Sequence, residues 1–119
     1  MDATINVVID GGGTGITAGI KGDVVVDFDC SITSATLLAD ASGSIVIDIW
    51  RDSYAAYPPV NGDSITSATP PTLASAIKSQ DITLTNWDTF IAAGSILRIN
   101  VDSASVVQRV TLALGVHRV

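Results

Sequence analysis

The chain has 119 residues, enough for one domain with a real core and too few for two. Its formal charge is −6, with every acidic residue an aspartate and only 6 Lys and Arg, spread over distant segments. That excludes nucleic acid as the expected partner, because phosphate binding needs a clustered basic patch.

Mean hydropathy is positive at +0.46, yet no unbroken apolar run approaches the length of a membrane span, so membrane insertion is not expected. Valine, isoleucine and threonine make up about a third of the chain, and these side chains suit a pleated sheet better than a helix. With no glutamate and only Lys21 and Lys78 as lysines, there is little material for an amphipathic helix. An all-β chain follows. Met1–Gly13 lacks the basic then apolar pattern of a secretory signal. Cys30 is the only cysteine, in phase with an apolar series, and reads as a buried thiol made in a reducing cytosol.

In chain order, Thr4 to Asp10 alternates Ile5, Val7 and Ile9 with polar neighbours and predicts a first strand. Gly11, Gly12, Gly13 and Gly15 then break it. This glycine run lacks the Lys-Ser/Thr ending of a phosphate loop and reads as a turn or bulged edge. Residues 1–22 are expected at an edge of the domain or against a partner. Gly22 to Ile32 predicts the most regular strand, with Val24, Val26 and Phe28 inward and the carboxylates of Asp27 and Asp29 side by side on the other face. Such a pair binds calcium only where loops add further oxygens, and on a strand it reads as a solvated face.

Ser34 to Asp40 predicts the next strand. Asp40-Ala41-Ser42-Gly43 reads as the turn of a hairpin leading into Ser44 to Trp50, where Ile45, Ile47 and Ile49 mark a central strand. That strand runs into Tyr54, Tyr57, Pro58 and Pro59, a rigid aromatic loop suited to outside contacts. From Ser53 to Pro71 regular periodicity is lost, apart from a short helical turn expected to open at Asp63. Leu73 to Leu84 resumes as a weaker strand. Ser95 to Asp102 follows with Leu97, Ile99 and Val101 inward, then a turn at Asp102–Ser105 and a last strand carrying Leu112 and Leu114.

The residues needed for catalysis are sparse. His117 is the only histidine, so the usual zinc, triad and metalloprotease patterns cannot be assembled. No catalytic residue, no cofactor-binding residue and no metal ligand is assigned. Trp50, Tyr54, Tyr57, Trp87 and Phe90 allow a sugar-stacking reading, set against the alternative that both tryptophans fill a core or a seam between subunits.

Three stretches, IDGGGTGITAGIKGDVVVDFDCSIT at Ile9 to Thr33, LLADASGSIVIDIWRDSYAAYPP at Leu37 to Pro59 and SILRINVDSASVVQRVTLALGV at Ser95 to Val116, resemble a module of tailed-bacteriophage structural proteins. The shared order is a glycine-rich opening, Cys-x-Ile, an Asp-Ile-Trp strand, a Pro-Pro loop, a Trp and a Leu-x-x-x-Val-Asp-Ser strand. The resemblance implies a virion protein with an antiparallel β-sandwich of jelly-roll type, one domain over residues 1–119, and no enzymatic activity. It also implies a homotrimer, by analogy with related virion sandwiches. Two roles fit it. One is a capsid decoration or cement protein bound to the major capsid protein or another virion protein; the other is a tail-fibre or receptor-binding knob, with a host-surface glycan as its ligand. Reaching the module within a few residues of Met1, without a shaft, favours decoration. The expected contact residues are Trp50, Tyr54, Tyr57, Pro58 and Pro59 with Gly11, Gly12 and Gly13. Val25, Val46, Trp50 and Ile96 are expected to form apolar faces buried between chains.

Overall fold

The computed structural model describes residues 1–119. It contains seven strands: β1 Asp2–Asp10, β2 Gly19–Val26, β3 Cys30–Asp52, β4 Thr72–Asp81, β5 Phe90–Ile91, β6 Ser95–Ser105 and β7 Arg109–Arg118. The one helical piece is a 3-10 turn at Asn61–Asp63. The turn expected to open at Asp63 closes there instead, and the Asp63 carboxylate accepts the Val60 amide at 2.9 Å.

All pairings are antiparallel and belong to one sheet, which curls into a half-barrel. The sheet is built along β3. One edge of β3 pairs with β7 over Cys30–Ala39 and then with β6 over Ser44–Asp52. Its other edge pairs with β5 at Cys30 and Ser31 and with β4 from Ala35 to Val46. β6 and β7 therefore lie end to end along β3. β1 adds outside β7 and β2 adds outside β6, so the sheet has a first half (β1, β7, start of β3, end of β4) and a second half (β2, β6, end of β3, start of β4).

The two halves meet along a fold line. Gly11 and Ile16, between β1 and β2, donate their amides to the carbonyls of Gln108 and Val107. Gln108 and Arg109 in turn donate theirs to the Asp40 carboxylate at 3.0 and 3.1 Å. Beyond them the β3–β4 register slips between Leu38 and Gly43 and again before Ile45, and Ser75 takes a positive φ of 50°. An irregularity in each strand bends it and increases its twist, so a row of them bends the whole sheet.

This arrangement corrects three expectations. Asp40–Gly43 is no hairpin turn but a bent stretch of the 23-residue strand β3. Asp102–Ser105 likewise continues β6, and the break before β7 falls at residues 106–108, where Val106 has a φ of 76°. The strand expected over Gly22–Ile32 is interrupted at Asp27–Asp29, where the Asp29 carboxylate accepts the Ala93 amide at 2.7 Å.

One hydrophobic cluster of 22 buried residues draws on both halves: Leu37, Val110, Leu112 and Leu114 from the first, and Ile45, Ile47, Ile49, Leu97, Ile99 and Val101 from the second. The curled sheet thus wraps a single core to which both halves contribute, with alternate residues of each strand turned inward. The expected core residues are there, with Val24 and Phe28 half-buried at its margin.

Candidate functional site

The outer face of the second half is partly covered by the chain's own irregular stretch, which pairs with the edge of β3 at Ser64 and Ile65, while Ile20 and Val25 of β2 stay open. Asp48 points away from the core between Ile47 and Ile49, yet it is buried. Its carboxylate accepts hydrogen bonds from the Ser64 and Thr66 hydroxyls, both at 2.7 Å, from the Trp50 indole at 3.0 Å and from the Ile49 amide at 2.8 Å. Ser64 also bridges to Trp50 as an isolated pair. These bonds tie Ser64 and Thr66 to β3 through the two oxygens of one carboxylate, a strong acceptor for hydroxyl and indole donors.

The next row across this face is Trp50 on β3, Arg98 on β6 and Asp23 on β2, directly opposite one another. Arg98 grips Asp23 through Nε at 2.8 Å and Nη2 at 3.0 Å, a two-pronged pairing that matches the guanidinium fork. Tyr57 reaches in from the loop: its hydroxyl donates to Asp23 at 2.6 Å, accepts from Arg98 at 2.7 Å, and its ring lies 5.2 Å below the guanidinium. The Arg98 bonds hold the Asp23 carboxyl below its ordinary value, and the bond to Asp23 raises the Tyr57 phenol above its own. Beside this knot, Arg51 pairs with Asp88 at 2.6 Å and also binds the Phe90 carbonyl, which depresses the Asp88 carboxyl.

The expected contact residues therefore divide. Tyr54 stands 84% exposed at the loop and is the residue most open to a partner. Tyr57 is half-exposed but tied, Pro58 is exposed, and Pro59 is buried, so it anchors the loop and offers no contact. Trp50 is half-buried, its indole N–H already taken by Asp48. Ile96, expected on an apolar outer face, is 6% exposed, and of that group Val25 alone stands open, at 61%. Trp87 packs against the core with its N–H bound to the Thr69 carbonyl at 2.8 Å. Gly12 and Gly13 form an exposed turn with φ of 71° and 90°, capped by the Asp10 carboxylate; Gly11 is half-buried because its amide bonds into β7's approach.

The outer face of the first half is bare. Val8, Thr111, Leu38 and Lys78 lie in one row across β1, β7, β3 and β4; Asn6, Ala113, Thr36 and Gln80 form the next, and Thr4, Gly115 and Ser34 the third. Val8 is 60% and Leu38 49% exposed. Leu38 stands between two shallow hollows of about 330 and 190 Å³, lined on one side by Thr36, Lys78 and Gln80 and on the other by Asp40, Arg109 and Thr111. An ion pair of Asp10 with Arg109 at 3.4 Å closes one end of the face, and a hydrogen bond between Asp2 and His117 Nδ1 at 2.8 Å the other.

His117 sits at the sheet end with Asp2, while Cys30 is buried on the other side of β3, its thiol pushed up chiefly by that burial. No group of three or more His, Cys, Asp or Glu side chains is gathered anywhere, and Asp27 and Asp29 lie in the break between β2 and β3 and not on a strand face. No helix is long and apolar enough to cross a membrane. The hub at Asp48 and the Asp23–Arg98–Tyr57 knot were not legible in advance, because an aspartate alternating with isoleucines looks solvated until the loop that covers it is known. The chain matches no protein-family model and no curated protein.

Proposed function

We propose that this protein is a non-enzymatic structural component of a tailed-phage virion, a trimeric decoration protein that cements the capsid by binding the major capsid protein. The likeness of the three quoted stretches to phage structural modules supports the virion assignment. The curled sheet, both halves contributing to one core, is read as a jelly-roll sandwich rolled from a long antiparallel ribbon. The observation that carries the role is the difference between the outer faces: that of the second half is partly covered by the Asp48-bound segment and the Tyr57 loop, with Ile20 and Val25 open on β2, while no segment of the chain is bonded over that of the first half. A small rigid body with a bare face and a displayed loop is built for contacts and not for turnover.

Cement works by adding bonds that must break before neighbouring capsomers separate, so a modest stabilisation per copy accumulates over the shell. The protein, made in the host cytoplasm, then resides in the virion and has no need of a cofactor. The fibre-knob reading is kept for one observation: the Tyr54 ring is displayed at 84% exposure in the same loop as Tyr57, whose hydroxyl meets the Asp23–Arg98 pair, and an exposed aromatic ring in a polar loop is what stacking on a host-surface glycan would require.

Copy number separates the two. Quantitative mass spectrometry of purified virions should return one trimer or more per capsomer for a cement protein, and release of the protein should lower the temperature at which heads rupture. A few copies confined to the tail, with glycan-array binding lost on Tyr54→Ala, would move the protein to the fibre.

A further inference from the structure

We infer that the bare outer face of β1, β7, β3 and β4, centred on Leu38, is where copies of this chain meet. This rests on the self-association proposed above and assigns it to a surface different from the one the sequence suggested. The second-half face is less suited: Ile20 and Val25 stand open on β2, but Ile96 is buried, Trp50 is half-buried, and its rows set Asp23, Asp48 and Asp52 against the single Arg98. Copies that each carry a formal charge of −6 repel one another, and they do so least where carboxylates are absent. In the three middle rows of the bare face the only charged residue is Lys78, and it has no ion-pair partner within its own chain. A second copy brings Asp10 and Asp40, which border the same face, as its complement.

The bare face is about 30 Å long over the nine residues of β1 at about 3.3 Å each, and about 19 Å wide at about 4.8 Å per strand where Lys78–Asp81 of β4 lie beside the other three, narrowing to three strands beyond them. Its footprint of at most about 570 Å² is smaller than the roughly 800 Å² per partner of a standard interface, which fits association read at micromolar concentration. Val8 and Leu38 supply the apolar knobs, and the hollows flanking Leu38 supply places for a neighbour's side chains.

The experiment is light scattering of the full chain at micromolar concentration, for the wild type, Leu38→Arg on the bare face and Val25→Arg on the opposite one. The expected result is a multiple of 12.2 kDa for the wild type and Val25→Arg, and the single-chain mass for Leu38→Arg with its β-sheet circular dichroism intact. If Leu38→Arg loses that signature, Asn6→Arg, at an exposed position of the same face, takes its place. An oligomeric wild type whose folded bare-face variant stays oligomeric overturns this assignment and leaves self-association standing. A wild type of single-chain mass removes both, and the face then belongs to a different partner.

Discussion

Asp48 shows how a single side chain can fix the path of a long irregular segment. Residues 53–71 have no periodic strand of their own, yet Ser64 and Thr66 are pinned to β3 by hydroxyl bonds to this carboxylate, and Thr66 is 0% exposed. Removing the acceptor leaves buried donors without partners, which costs more than the bonds themselves contributed. Asp48→Ala should therefore lower the unfolding free energy by about 2–4 kcal/mol, read from urea denaturation, with hydrogen exchange accelerating first in residues 61–69. Asp48→Asn, which keeps an oxygen acceptor, should lose less. Equal losses for the two variants would mean that packing, and not hydrogen bonding, holds the segment.

Among the elements, β3 carries the bend that the whole sheet shares, and Gly43 is where the bend leaves no room. A Cβ there would lie 2.7 Å from the Ser105 carbonyl oxygen, which cannot rotate away, and 2.8 Å from Cγ1 of the buried Val107 side chain. Gly43→Ala should destabilise the protein by about 1–3 kcal/mol in thermal or urea melts. Gly115→Ala should cost less, because the atom its Cβ would meet is the rotatable Ser34 hydroxyl. The same position explains what was and was not readable from sequence. Inward residues such as Ile45, Ile47 and Leu112 are legible because alternation is a local signal. Asp40-Ala41-Ser42-Gly43 has the composition of a reversing turn, but the same residues serve a kink when another backbone approaches closely, and that backbone comes from residues 105–108. Tyr57, Asp23 and Arg98 escaped notice for the same reason, since their meeting depends on the register of strands far apart in the chain.

At the scale of the whole molecule, the paired carboxyls set the response to acid. Asp2, Asp10, Asp23, Asp40 and Asp88 all lie below the ordinary aspartate value of 3.8, held there first by His117, the Gly12 amide, Arg98, the Gln108 amide and Arg51 respectively. A carboxyl whose folded value is lowered binds fewer protons in the folded state, so its stabilisation is complete above the unfolded value and is lost as pH falls through the lowered one. In roughly 0.15 M salt, where general repulsion is screened beyond about 8 Å, the melting temperature should be level from about pH 7 to 5 and fall below about pH 4. A melting temperature that holds or rises there would show that relief of the net negative charge outweighs these pairs. The end-to-end placing of β6 and β7 along β3 has a bearing on synthesis. β1 and β2, made before the strands they join, pair with nothing but β7 and β6, and the Met1 carbonyl is taken by the Arg118 amide. Residues 2–26 thus have no ladder to join until residues 95–118 have been made, so this sheet closes only after translation has passed β7, and until then the growing sheet carries unpaired apolar strands.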